Sequence, residues 1–201
     1  MNFTLLNKTI CLSQPRIAEA ALVALYNLCN NEQCQTHLAS APGLCLSAIR
    51  ICEYAKESYL AGEASTLLLA IMWRNPVNKA RVGTTKDSCK ILMKRLIHCC
   101  TIAGMYSNND AINNINTTTN NNNTRNDTIK NMYEHIFCIE RTAYALSSML
   151  LHEHMHELMH NINGFEEVAE LCKQYKNDRI LRALSQILVA MQPSPDFLVV
   201  C

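Results

Sequence analysis

A long apolar-periodic stretch, a short one and a second long one follow each other in the same order three times along this chain, and that recurrence restricts the fold more than any single motif. From Arg16 the apolar positions Ala20, Leu22, Val23, Leu25, Leu28 and Cys29 keep helical spacing until the pair Asn30 and Asn31 interrupts them. A short helix is predicted over 32–39, Ala-Pro-Gly at 41–43 turns the chain, and a long helix follows over 44–55. The order returns as 59–73, 76–82 and 87–100, and again as 132–151, 153–161 and 165–175. A last helix over 178–191 opens a further unit before Pro193 and Pro195 end it. Units of this kind carry more apolar face than they can bury alone, so each is expected to stack on its neighbours.

One register relates the first and third units. The separation of Asn27 from Ser148 also separates Gly43 from Gly164, Ala48 from Ala169 and Tyr54 from Tyr175. The middle unit aligns residues 28–31 with 72–75 and Leu38 with Val82, a period in the roughly 40-residue class of helical repeats. Residues 107–131 break the pattern. Their Asn/Thr-rich run has no apolar periodicity and too little apolar surface to offset the entropy of ordering, so a disordered insertion within a repeat is predicted. Such an insertion costs a stack little, because loop-closure entropy grows only logarithmically with length.

Composition narrows the rest. Lys and Arg number 18 against 17 Asp and Glu, which gives no field favouring nucleic acid or an anionic membrane, so neither is an expected partner. The 11 cysteines are odd in number and mostly inside apolar periodic stretches, as Cys29, Cys45, Cys52 and Cys172 are, which reads as reduced, buried thiols. No basic start precedes a long apolar run and no window approaches a membrane span, so the cytosol or the nucleus is the expected location.

Residues 75–83, Asn-Pro-Val-Asn-Lys-Ala-Arg-Val-Gly, and 24–28, Ala-Leu-Tyr-Asn-Leu, resemble the short first helix and the third helix of the armadillo repeat family. The resemblance covers nearly the whole chain apart from the insertion and the ends. It implies a right-handed superhelical α-solenoid of about three and a half three-helix repeats, with partner peptides or helices lying in a concave groove lined by the third helices. Positions matching that groove are Val23, Asn27 and Asn30 in the first unit and Leu67, Ile71 and Arg74 in the second. In the third they are Tyr144, Ser148 and Leu151, and in the last Arg182 and Gln186. Of the Trp and Asn ladder by which importin-like members clamp a peptide, this chain keeps only Asn27, and Trp73 falls outside the ladder and reads as core.

A different chemistry is written at 152–160, His-Glu-His-Met-His-Glu-Leu-Met-His, which holds the zinc-protease pattern His-Glu-x-x-His twice in overlap. On a helix His156 and His160 lie one turn apart and suit Zn²⁺ ligation, with Glu157 polarising a bound water and Glu166, Glu167 or Glu170 as third ligand. Against that, Met155, Leu158, Met159 and Ile162 form the apolar stripe a short first helix has to bury, and no strand pattern precedes it. The adjacent Cys99 and Cys100 read as packing, and Lys86, Lys90, Lys94 and Arg95 as a solvated helix face. The sequence therefore predicts one all-α repeat domain over 1–201 that is a non-enzymatic scaffold binding a protein or peptide partner. No cofactor is expected, and a zinc metallopeptidase at 156–160 is the alternative. An apolar tail at 197–201 and units cut part-way at both ends suggest a subunit of a larger assembly.

Overall fold

The computed structural model describes residues 14–108, 122–151 and 153–192. Among them the chain is helical throughout, with turns and no strand. The helices are α1 (Pro15–Leu28), α2 (Glu32–Ser40), α3 (Leu44–Tyr54), α4 (Ser58–Met72), α5 (Pro76–Gly83), α6 (Ser88–Asn108), α7 (Asn122–Met149), α8 (Glu153–Asn161), α9 (Gly164–Gln174) and α10 (Asp178–Ala190).

The breaks between helices follow from local chemistry. Asn31, Asn75 and Asn177 each turn a side-chain oxygen onto the first free amides of α2, α5 and α10, at 2.9 to 3.2 Å, and Pro76 then occupies a first-turn position where no amide hydrogen is needed. The residue before each of α3, α6 and α9 is left-handed: Gly43 at φ 79°, Asp87 at 59° and Asn163 at 52°. Asn163 takes the role that the sequence register gives to Gly164, so the third unit turns one residue sooner than the first.

Two boundaries differ from expectation. Helix α6 runs on past 100 to Asn108, and α7 begins at Asn122, so residues 107–108 and 122–131 of the expected insertion are helical. The segment 109–121 lies outside the described residues. Residues 126–131 of α7 pack little, with Ile129 exposed, as Tyr133 is after them, and extend a helix already nucleated by the buried positions from Ile136 to Met149. Propagation costs far less than nucleation, which is why an Asn/Thr-rich run can continue a helix it would not start.

The helices pack with a period of three. Helix α4 lies between α1 and α7, and α7 between α4 and α10. Helix α6 lies likewise between α3 and α9, and α2 packs on α5. Each short helix is tied back by one polar side chain to a carbonyl at the end of the long helix before it. Gln35 Nε2 donates to Cys29 O at 2.8 Å, Asn78 Nδ2 to Ile71 O at 2.9 Å, and His156 Nε2 to Leu150 O at 2.5 Å. These bonds satisfy carbonyls that lose their intrahelical donor where the helix stops.

The core sits where α3, α4, α6 and α7 meet, around Ile49, Leu60, Leu67, Leu68, Ile71, Leu92, Leu96, Ile139 and Leu146. Helix α4 is apolar on most sides because it is covered on most sides. Close approach between units uses glycine. A Cβ at Gly62 of α4 would fall 2.6 Å from the Phe137 ring of α7, one at Gly83 of α5 would fall 2.8 Å from Met155 Sδ of α8, and one at Gly104 of α6 would fall 2.8 Å from the hydroxyl of Tyr175, just beyond α9.

Arg95 departs from the expected solvated face. It is buried, and its guanidinium donates to Cys52 O at 2.5 Å, Ala55 O at 2.7 Å and Glu53 O at 3.3 Å, closing the C-terminal end of α3 with a positive charge.

Candidate functional site

A cleft of about 270 Å³ opens where α1, the first turn of α2, α4 and α7 converge. Its walls are Tyr26, Cys29, Asn30, Gln35, Thr66, Leu69, Ala70, Trp73 and Arg141. Thr66, Leu69, Ala70 and Trp73 recur at helical spacing along α4, so one face of that helix forms the floor. Trp73 closes one end at 58% exposure, and Tyr26 stands across from α4 at 39%. The guanidinium of Arg74 lies over the Trp73 ring at 5.7 Å from its centroid, and that of Arg141 over Phe137 at 5.4 Å.

Polar groups in the cleft are unevenly satisfied. Gln35 is engaged with Cys29 O, and the Thr66 hydroxyl donates to Gly62 O at 2.9 Å. Arg141 Nε is shielded from solvent and has no hydrogen-bond partner among the described residues. Burial, and then the nearby Cys34, push the Cys29 thiol up to about 11, so it faces the cleft as a neutral group. Glu63, beside this surface on α4, has its carboxyl raised by burial and by Glu19, partly offset by Arg141.

A second polar cluster runs through the core. Ser58 Oγ and His135 Nδ1 are 2.7 Å apart, Cys99 Sγ reaches Ser58 Oγ at 3.9 Å, and Cys138 Sγ meets Thr142 Oγ1 at 3.8 Å. Thr142 meets Ser65 at 3.1 Å, which in turn meets Cys52 Sγ at 3.5 Å. Hydrogen bonding from Cys138, seconded by His135 against the cost of burial, holds Cys99 below the ordinary thiol range, and the same bond raises Cys138. Both sulfurs are fully buried, so this chain of weak hydrogen bonds joins α3, α4, α6 and α7 from within and offers no nucleophile to solvent. Cys100, next in sequence, is pushed up to about 12 by burial, as packed thiols are.

The residues expected to line a groove are spread over α1, α4, α7 and α10. Asn27 and Asn30 are exposed at the end of α1, and Asn30 lines the cleft. Arg74 is exposed with a left-handed backbone at φ 52°, stacked on Trp73. Tyr144 and Ser148 are half-buried on α7, while Arg182 and Gln186 are exposed on α10. Val23 and Leu151 are exposed as expected. Leu67 and Ile71 are not: both are fully buried, because α4 is covered by α7 on the side where an open groove would need them. Trp73 is corrected in the opposite sense. It stands beyond the last buried turn of α4 and is exposed, not core. Arg141 escaped the sequence reading, although it stands one helical turn before Tyr144 on the same face as Ser148.

In the histidine-rich helix α8, His156 is engaged by the backbone. Because a carbonyl can only accept, His156 Nε2 carries the proton it gives Leu150 O, and that nitrogen has no lone pair left for a metal. His156 thus fills the position that Gln35 fills in the first unit. His160 and His154 are exposed, the latter 3.9 Å from Glu157 one turn on. Among the described residues, which leave out His152, no three His, Cys, Asp or Glu side chains converge as a metal site.

No family model, no curated protein and no solved structure matches this chain.

Proposed function

We propose that the chain is an armadillo-type α-solenoid that holds a partner protein or extended peptide on the face formed by α1, α4, α7 and α10, with the cleft at Trp73 as its principal pocket. The observation that carries this reading is the exposed Trp73 and Tyr26 flanking a cleft floored by α4. Large aromatics left in solvent beside a concavity are the usual anchors of protein recognition. The period-three packing, the left-handed turn before every third helix and the repeated tie from each short helix support the solenoid part of the reading. Catalysis forms no part of it.

Trp73 is the one tryptophan of the chain, so its emission reports on the cleft alone. A random-peptide display library panned against the full chain, followed by fluorescence titration of the retained peptides, tests the proposal. Retained peptides are expected to shift Trp73 emission to the blue and to bind Trp73→Ala at least tenfold more weakly. Retention of no peptide, or equal binding to Trp73→Ala, overturns it.

A further inference from the structure

Three other arginines of the fold have acceptors. Arg95 meets three carbonyls, Arg50 meets Glu53, and Arg179 grips Glu140 with two bonds at 2.8 and 2.7 Å. Arg141 is different. Its Nε is sealed from water without a partner, no carboxylate pairs with it among the described residues, and the ring of Phe137 covers one of its faces. A guanidinium carries donors only, so with Nε enclosed and unpaired this side chain, which lines the cleft, gains from an acceptor placed there. Arg141 lines the cleft, whose other walls, Trp73, Tyr26, Leu69 and Ala70 among them, suit methylene groups. An acidic side chain matches both properties, with a carboxylate for the guanidinium and a short apolar stem for the walls.

Building on the binding role proposed above, we infer that this cleft is an acidic side-chain pocket in which Arg141 receives the carboxylate of a glutamate or aspartate from the bound partner segment. One singly charged group is the right load. Arg141 supplies a single positive charge, and the charge of Glu63, which interacts with it, disfavours a dianion such as a phosphate. The nearby Glu63 also competes weakly for the same guanidinium, so its charge opposes the ligand's.

The test uses the peptides retained by the full chain in the display experiment. Peptides that shift Trp73 emission are expected to share an acidic residue at one position. Replacing that residue by Gln is expected to weaken binding to the unaltered protein by about tenfold, a size typical of a desolvated charge-assisted contact. Arg141→Met should weaken the acidic peptide similarly and leave the Gln peptide unchanged, and Glu63→Gln should tighten the acidic peptide alone. If the Gln peptide loses as much as the acidic one in Arg141→Met, Arg141 is only a structural wall and the inference is overturned. It is equally overturned, with the binding role intact, if retained peptides bind at Trp73 with no acidic position. Retention of no peptide overturns both. The Gln swap in the peptide needs no variant protein, so the inference is decided even if Arg141→Met fails to fold.

Discussion

Replacing Gly62 by Ala tests the packing that positions the cleft. A Cβ there would sit 2.6 Å from two Phe137 ring carbons and 3.3 Å from the Cys138 Cα, so α4 and α7 must separate or the ring must move by about an ångström to restore ordinary contact. Overpacking of this size costs about 1–3 kcal/mol, while Ala in place of Gly inside a helix returns about 1 kcal/mol. The expected net is a loss of up to roughly 2 kcal/mol in urea unfolding followed by far-ultraviolet circular dichroism. The clash is mostly with Phe137, so the sign should reverse in its absence. In a Phe137→Ala background, Gly62→Ala should stabilise by up to ~1 kcal/mol, as helix propensity alone dictates. Since Phe137 also carries Arg141 against its ring, the single variant should disturb the cleft too, with a shifted Trp73 emission maximum. A stabilising Gly62→Ala in the unaltered protein, or the same change in both backgrounds, would refute the close approach of the two helices.

Other perturbations follow from individual contacts. Arg95→Met strands the carbonyls at the end of α3 and should cost about 2–4 kcal/mol by the same unfolding measurement, and a change below ~0.5 kcal/mol would show that water replaces the guanidinium. His156→Ala should cost about 1–2 kcal/mol and His156→Gln much less, because a glutamine makes the equivalent bond at Gln35; equal losses would deny that the imidazole acts as a tie. Glu63 has a raised carboxyl in the fold, so the folded chain binds more protons than the unfolded one between the ordinary glutamate range and the raised value, and stability falls as pH rises through that window. Glu63→Gln should therefore be more stable than the parent at pH 7, by less than about 1 kcal/mol given solvent screening, and equally stable near pH 3; a loss at pH 7 would contradict the assignment.

Helix positions were legible because their signals are local. Asn31, Asn75 and Asn177 cap where the sequence breaks its periodicity, and Pro76 opens α5 where a proline costs nothing. What the sequence could not show depends on contacts distant along the chain. Periodicity places Leu67 and Ile71 on a face of α4 but does not say that α7 covers that face. Trp73 looks like core by residue type, yet it lies where α4 outruns its neighbours. Arg95 is indistinguishable from the Lys90 and Lys94 beside it until α3 presents its terminal carbonyls.

The same dependence accounts for a histidine on α8. Each short helix must donate one hydrogen bond to the end of the long helix before it, and the chain meets that demand with Gln35, Asn78 and His156, which differ in type but share a donor at similar reach. A histidine making that bond, with apolar neighbours Met155 and Met159 in the spacing a buried stripe requires, reproduces part of a zinc-protease signature. The comparison also bears on the cleft. Between α7 and α10 the chain supplies its own carboxylate, with Glu140 held by Arg179. One step back along the same tier, between α4 and α7, the corresponding guanidinium of Arg141 has no such partner, and the difference between the two positions is what a bound acidic segment would make up.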